Sequence, residues 1–419
     1  MRVVMLVANP IVFDGRVIRH AQTLVRAGHE VTVLGVLGPG DAEGRMEELG
    51  LSTWRLDRRR RGLLPRLIWA STAMRQRAAL HLGALLPESA LRQVPAVAAL
   101  AVATSAVELA LRAATLPCEV VHANDLNTLP AAAWAARLRR VPYVYDAHEL
   151  YVDEHPNLTE AERRLRRVAE AHLAPGAAQV LTVNELIAAE LVRRYGLPPP
   201  VVVRNLPPRV QVPCPGPDAG PPGTLRLLYH GAHIGLAQEG TDDLLRALAR
   251  LRGVLELRLT MRGGLTEGAR RDLLARLDQL GLSDRVRICP PVSGAVALVQ
   301  AAAADGEEVG LAVHPPVCTS YRFTTSSKVY EYQAAGLAVC ATDLPGNRLT
   351  VDERAGLFYP PGDDETLARL LLELGRDRAR LLAMRQAAWR RAQTELCWEQ
   401  EQERLLAVYE RLGATSTPS

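Results

Sequence analysis

Aromatic side chains are scarce in this chain, at 4% of its 419 residues, with only three phenylalanines. Such a composition offers little for the base-stacking surfaces that single-stranded nucleic-acid binders use. The formal net charge is only +4, which gives no general electrostatic reason to expect a polyanionic partner. We therefore predict no nucleic-acid partner.

Cysteines are few and widely spaced, since the six of them form no Cys-x-x-Cys pair. This spacing suggests neither a zinc site nor a disulfide framework, so we expect reduced thiols and no bound metal. The N-terminus lacks the charged region and cleavage site of a signal peptide, and the most apolar run, 94–107, is too short to span a bilayer. The sequence predicts a cytoplasmic protein without a transmembrane helix.

Two common nucleotide-binding motifs are also missing. No Gly-x-Gly-x-x-Gly run follows the first strand of either half, which argues against a bound NAD. No Gly-x-x-x-x-Gly-Lys-Ser/Thr run is present, which excludes a P-loop NTPase. We expect no cofactor.

What is present is an alternation of apolar runs and amphipathic helices, which predicts an α/β chain with parallel sheets. The pattern is broken once by the Pro- and Gly-rich stretch 205–223, predicted to be a linker. We predict two doubly wound Rossmann-like domains, 1–204 and 224–395, with a terminal helix at 396–419 that packs back on the first domain. Ligands are expected in a cleft between the carboxyl ends of the two sheets.

The stretch 324–343, TTSSKVYEYQAAGLAVCATD, joins an amphipathic helix to a short apolar run typical of a buried parallel strand. Ser326 or Ser327 can cap the helix, and Lys328 adds a positive charge at the end where free N–H groups bind anions. Glu331 lies three residues later on nearly the same face. Its two acceptor oxygens suit a vicinal diol such as a ribose.

Two interpretations of this helix are open. In the functional one, the hydroxyls and the lysine hold a phosphate and the carboxylate holds a ribose, so that the ligand is a nucleotide. In the other, a serine only caps the helix, and Lys328 pairs with Glu331 as an ordinary surface ion pair.

The longer run SSKVYEYQAAGLAVCATDLPG resembles the donor-binding segment of family 4 retaining glycosyltransferases, which have the GT-B fold. Four other stretches resemble that family in the same order. NPIVFDGRVIRHAQTLVRAGHEVTVL is similar to the opening of a subgroup with an Asp-x-Arg-Val loop, VVHANDLNTLPAA and YVYDAHELY to its middle segments, and ELCWEQEQERLLAVYERL to its terminal helix. The resemblance implies a retaining, hexosyl-type transferase that moves a sugar from a UDP- or GDP-linked donor to a hydroxyl acceptor.

The same resemblance implies roles for single residues. Glu331 would bind the donor ribose, Lys328 would bind the diphosphate as a catalytic cation, and His148 would lie near the transferred sugar. A core histidine at a strand end is the alternative for His148. Further donor-binding candidates are Ser326, Ser327, Gly231, His233 and Arg322.

On the acceptor side, the resemblance points to the first loop. Gly15 would approach the donor, with Asp14 and Arg16 near the acceptor. An Asp–Arg pair that only fixes the loop is equally compatible with the sequence.

The chain departs from the family in two places. Where members usually carry a second glutamate, eight residues before the ribose-binding one, this chain has Phe323. Where they usually carry Arg and Lys after the first strand of the second domain, it has Ala232 and Glu239. Other cations must then meet the charge of the diphosphate, and the candidates are Arg262, taken as catalytic, with Arg322 and His233.

A basic segment at 54–77 begins a predicted helical insertion that extends to about 116. Arginines beside leucine, isoleucine and tryptophan suit an anionic membrane surface. The protein would then lie on the inner membrane face, with a lipid-linked or glycan acceptor. A solvated basic linker and a small-molecule acceptor form the alternative. Two other functions also remain open, a sugar-nucleotide epimerase of the same fold and a catalytically weak or inactive partner protein.

Overall fold

The computed structural model describes residues 1–12, 14–37, 44–46, 50–56, 74, 77–103, 105–217, 224–236 and 240–415. The chain divides into two compact units. Unit 1 comprises Met1–Arg204, Cys318–Ser320 and Gln402–Ser419, and unit 2 comprises Asn205–Val317 and Tyr321–Glu401. The basic stretch 57–73, most of the predicted membrane segment, lies outside the described residues.

Unit 1 is built on an eight-stranded sheet. Its strands lie in the order β3-β4-β2-β1-β5-β6-β7-β8, and every pair is parallel except β3 with β4. The strands are β1 Arg2–Leu6, β2 Glu30–Val36, β3 Gly44–Met46, β4 Ser52–Leu56, β5 Val120–Asn124, β6 Tyr143–Ala147, β7 Gln179–Thr182 and β8 Val201–Val202.

The helices of unit 1 cover this sheet, as expected for parallel strands that need crossover connections. Their bounds are Gly15–Arg26, Glu88–Leu91, Pro95–Val102, Ala106–Thr115, Leu129–Arg139, Glu160–Leu173 and Glu185–Tyr195, followed at the end of the chain by Trp398–Thr415. The first helix ends at Arg26. Gly28, just beyond it, takes the left-handed conformation with φ 86°, as a glycine after a helix commonly does.

Unit 2 contains a six-stranded sheet in the order β11-β10-β9-β12-β13-β14, with every pair parallel. The strands are β9 Thr224–His233, β10 Glu256–Gly264, β11 Val286–Cys289, β12 Val309–Ala312, β13 Ala338–Thr342 and β14 Gly356–Tyr359. The helices are Thr241–Arg250, Glu267–Leu280, Gly294–Ala304, Thr319–Phe323, Ser327–Ala334, Pro345–Arg348, Asp364–Arg376 and Arg378–Thr394. The prediction of two doubly wound α/β domains is therefore confirmed.

The predicted linker is more ordered than its composition suggests. Over the part that is described, to residue 217, it runs without regular structure along the helix Arg378–Thr394. Trp389 donates to the carbonyl of Val212 at 3.1 Å, and Gln386 to that of Pro215 at 3.0 Å. Prolines lack an N–H but keep a carbonyl, so side chains of the helix can bind this segment through its acceptors.

No single helix among the described residues is long and apolar enough to cross a membrane. One pair, Pro95–Val102 with Val107–Thr115, meets the length and composition together but bends by 89° between its halves.

Candidate functional site

The helix Ser327–Ala334 in unit 2 is fixed on the sheet by Tyr332. The Tyr332 hydroxyl donates to the carbonyl of Leu311 at 3.1 Å and accepts from the backbone N–H of His230 at 3.3 Å. The ring lies so close to β12 that a Cβ added at Gly310 would be 2.1 Å from it. Only glycine allows this approach, which places the start of the helix at the carboxyl end of β9.

Lys328 lies in the first turn of this helix, beside the end of β9. A Cβ added at Gly231 would be 3.6 Å from the Lys328 Nζ atom, an ordinary contact distance, so the amine lies beside the end of this strand. Burial lowers the pKa of Lys328, an effect that the nearby Glu331 carboxylate opposes. Lys328 is also the single lysine among 50 Lys and Arg residues. A chain that uses arginine everywhere else has a compact ammonium only here.

Glu331 pairs with a histidine of β9 instead of with the lysine. Its Oε2 atom is 3.1 Å from Nε2 of His230, and both side chains are largely buried, at 14% and 12% exposed. In the part of the chain that the structure describes, Lys328 has no ion-pair partner, so the surface-pair interpretation is not what the structure shows. We refer to Gly231, His230, Lys328 and Glu331 as the Lys328 cluster.

The serines before Lys328 leave the helix end open. Ser326 occupies the N-cap position with φ −64° and ψ 133°, but its side chain makes no capping hydrogen bond. Uncapped leading N–H groups are donors for an anion. Ser326, Ser327 and Lys328 thus lie at a helix end of the kind that suits an anion, and their contact with a donor stays a prediction.

The other cations predicted for the diphosphate have different surroundings. Arg262 is opposite His230 in the register of β9 and β10, and its guanidinium pairs with Asp305, with Nη2 3.0 Å from Oδ2. His233 and Arg322 are exposed. Their contact with a diphosphate stays a prediction.

Unit 1 has a second concentration of charge at the carboxyl ends of β5 and β6. Arg16 and Asp146 form a bidentate pair there, with Nη2–Oδ1 at 2.7 Å and Nε–Oδ2 at 2.9 Å. The third guanidinium nitrogen, Nη1, donates to the Val203 carbonyl at 2.7 Å. The two side chains are 3% and 0% exposed. Arg16 therefore pairs with Asp146 of β6 and not with Asp14, and its acceptor-side role stays a prediction.

Asp14 and Gly15 begin the helix that carries Arg16. The Asp14 carboxylate caps this helix by accepting from the N–H of Val17 at 3.1 Å, and it also accepts from Nδ2 of Asn9 at 2.8 Å. These bonds fix the loop and position Arg16. The acceptor-side roles of Asp14 and Gly15 stay predictions.

His148 follows β6 and lies between two carboxylates. Its Nδ1 is 3.1 Å from Asp125 and its Nε2 is 3.3 Å from Asp146. Burial acts to lower the pKa of His148, but Asp125 and Asp146 outweigh burial and hold that pKa well above its usual value. The side chain is thus an imidazolium with both ring nitrogens facing acidic groups. Its predicted place near the sugar stays a prediction.

Two buried histidines complete the surroundings of Asp146. His20 and His122 have pKa values lowered mainly by burial, so both are neutral. Nδ1 of His122 is 2.6 Å from the hydroxyl of Tyr409 on the terminal helix. His20, His122 and Asp146 have donor atoms within 4.8 Å of one another, as metal ligands do. Because both Asp146 oxygens already bind the Arg16 cation, we interpret the group as a hydrogen-bonding network.

The raised pKa of His148 predicts a specific dependence of stability on pH. A histidine that binds its proton more tightly in the folded state stabilises that state fully below its unfolded pKa of 6.5. This contribution is lost as pH rises through the folded pKa. Above pH 6.5, the free energy of unfolding in urea should fall more steeply with pH in the parent than in His148→Gln, by about 1.4 kcal/mol per pH unit. Equal slopes in the two proteins, with exposed His172→Gln as control, would rule out this charge state.

Both units match models of known protein families. Residues 16–208 match the model of the glycosyl transferase 4-like domain. Residues 224–377 match the model of glycosyl transferases group 1. The chain belongs to a family 4-like group of GT-B glycosyltransferases. The predicted resemblance is confirmed at this level.

Individual relatives of this GT-B chain agree with that placement. It is 28% identical, over 57% of its length, to a D-inositol 3-phosphate glycosyltransferase from Pseudarthrobacter chlorophenolicus, and the match covers 58% of that relative. Sucrose-phosphate synthase from Thermosynechococcus elongatus has a similar fold, with a TM-score of 0.70 and 17% identity over 99% of this chain and 100% of that one. Anabaena Alr3699/HepE in complex with UDP-glucose gives a TM-score of 0.66 and 14% identity over 99% of both chains. These low identities show the fold alone.

Proposed function

We propose that this chain transfers a sugar from a nucleotide-activated donor, UDP- or GDP-linked, to a hydroxyl acceptor with retention at the anomeric carbon. The observation that carries the proposal is the Lys328 cluster. There an ammonium, an uncapped helix end and a fixed carboxylate meet at the carboxyl edge of the unit 2 sheet, where open α/β sheets bind ligands.

The cluster suits the two ends of a nucleoside diphosphate. Glu331, held at 3.1 Å by His230, offers its carboxylate oxygens to the ribose hydroxyls. Lys328 and the leading N–H groups of its helix face the phosphates. The spacing of one helical turn between the two side chains matches a ligand that carries both groups in sequence.

The proposed chemistry needs charge stabilisation more than a protein nucleophile. As the bond between the sugar and the β-phosphate of the donor breaks, negative charge grows on that phosphate of the leaving group. A preorganised ammonium and helix dipole stabilise that charge most in the transition state. The acceptor hydroxyl then attacks on the face that the nucleotide leaves, which retains the anomeric configuration.

The acceptor is proposed only as a class. The relative from Pseudarthrobacter chlorophenolicus is named for D-inositol 3-phosphate, so a polyol phosphate is a reasonable first acceptor to test. A glycan, a lipid-linked glycan and a small natural product are the other classes.

One product analysis separates this proposal from its rivals. The protein is incubated with UDP- and GDP-sugars, with and without polyol phosphate or glycan acceptors, and the products are analysed by NMR. A glycosylated product with the donor's anomeric configuration and free nucleoside diphosphate supports transfer. An altered nucleotide sugar without acceptor supports an epimerase, and nucleotide-dependent thermal stabilisation without any product supports an inactive partner.

Replacement of the single lysine should affect turnover more than binding. Lys328→Met should reduce kcat by about 10²–10³-fold, as loss of one charge-stabilising donor does elsewhere. Lys328→Arg should also be impaired, because a guanidinium is larger and planar and the amine already lies beside Gly231. Steady-state kinetics at saturating donor measures both.

The control for this prediction is Arg369→Met on the exposed face of unit 2, where the arginine pairs only with Glu373. Its kcat should equal that of the parent. Unchanged turnover in Lys328→Met would mean that another group meets the phosphate charge, and Arg262 would be the next residue to test.

A further inference from the structure

His314 is a buried titratable group near the Lys328 cluster that the proposed chemistry does not use. It lies two residues beyond the end of β12, the strand that pairs with β9. Its Nδ1 atom is buried and has no hydrogen-bond partner among the described residues. A buried, unpartnered nitrogen is costly in a folded protein, which points to a ligand group that completes it.

The charges around His314 explain its state without a ligand. Burial, followed by the positive charge of Lys328, lowers the pKa of His314 to about 3. Titratable groups near this edge include Glu331 on the helix, Tyr229, His230 and His233 on β9, and Arg262 on β10. The Glu331 carboxylate faces His230 at 3.1 Å. His314 is therefore a neutral imidazole beside an ammonium.

A bound diphosphate would change the charge around His314. It brings negative charge next to Lys328, which offsets the repulsion that opposes protonation of His314, and it offers an acceptor oxygen to Nδ1, while the ring keeps its hydrogen bond to the backbone of Ala312. We infer that His314 is a further donor-contact residue, which takes up a proton from solvent and binds the diphosphate beside Lys328. This inference rests on the proposed function.

Proton uptake predicts how affinity changes with pH. If one proton binds together with the donor, the association constant falls by up to tenfold per pH unit as pH rises toward the pKa of His314 in the complex, and it levels off above that pKa. A nucleotide sugar is the appropriate probe, since its diphosphate is a diester and, unlike a free nucleoside diphosphate, has no phosphate proton that titrates near neutral pH.

The experiment is calorimetric titration of the full chain with UDP-glucose and GDP-mannose at pH 6, in buffers that differ in ionisation enthalpy. We expect an uptake of about 0.5–1 proton by the parent and by exposed His172→Asn, and close to none by His314→Asn or His314→Gln. The two variants place an amide near the position of Nδ1 or Nε2. If neither variant folds, the pH dependence of parent affinity between pH 5.5 and 8 still tests the inference.

The outcomes distinguish this inference from the proposed function. Binding of a nucleotide sugar without proton uptake, or with equal uptake in parent and His314 variants, overturns the role of His314 alone. A parent whose affinity for the nucleotide sugar does not change with pH also overturns the role of His314 alone. Failure of the parent to bind either nucleotide sugar overturns the proposed function and the His314 role together.

Discussion

Glu331→Ala is expected to bind a nucleotide sugar about 10²–10⁴-fold more weakly than the parent. The carboxylate would make two charge-assisted hydrogen bonds to the ribose, each worth about 1.5–3 kcal/mol. Its loss also leaves His230, now 3.1 Å away, without the acceptor that orients it. Calorimetric titration with UDP- and GDP-sugars measures the change directly.

The matched control for Glu331→Ala is Glu353→Ala, a glutamate of the same unit whose side chain is 86% exposed. Its donor affinity should equal that of the parent. The donor affinity of Glu331→Gln should lie between those of the parent and the alanine variant, because an amide keeps one acceptor oxygen and loses the charge. Unchanged affinity in Glu331→Ala would exclude the ribose assignment.

The second large effect is expected on stability. Asp146→Asn should reduce the free energy of unfolding of unit 1 by about 3–5 kcal/mol, because it leaves the buried Arg16 guanidinium without a matching charge. Both Asp146 oxygens are engaged, and the side chain is fully buried. Arg16 and His148 hold the pKa of Asp146 well below its usual value despite burial, so the carboxylate is charged at neutral pH.

Urea unfolding followed by hydrogen exchange in β5 and β6 measures this loss within unit 1. The control is Glu119→Gln, which breaks an exposed pair with Arg2 whose side chains are 49% and 44% exposed, and should change stability by less than about 1 kcal/mol. A loss of similar size in both variants would show that the Asp146 network is not a stabilising core of unit 1.

Much of the fold could be predicted from the sequence because its signals are local. A continuous apolar run is typical of a parallel strand that is buried on both faces. The run LAVCATD, at 337–343, forms such a strand over Ala338–Thr342. The strands β3, β4 and β8 were not predicted, since β3 and β8 are too short to carry a periodic signal and β4 overlaps the start of the segment 54–77, which was interpreted as part of a helical insertion. The segment 205–217 shows the limit of composition, because its docking depends on a helix that begins more than 150 residues later along the chain.

The site was predictable where its residues are close in sequence. Lys328 and Glu331 share a helix face, so their spacing alone suggested a ligand. His230 lies on β9 and His314 lies just beyond β12; both were missed, because these two strands are neighbours only in the folded sheet. Arg16 and Asp146 are 130 residues apart, so their pairing is a tertiary feature. One signal was available and unused, namely that the chain has a single lysine.

The single lysine also allows the most direct test of the central claim, that Lys328 and its helix end bind the diphosphate of a nucleotide sugar. Amine acetylation of the intact protein, followed by mass spectrometry, has Lys328 as its only side-chain target, with the N-terminal amine as internal control. With UDP-sugar or GDP-sugar present, the rate of acetylation at Lys328 should fall at least tenfold while the rate at the N-terminus is unchanged. Equal labelling of Lys328 with and without saturating nucleotide sugar would contradict the account.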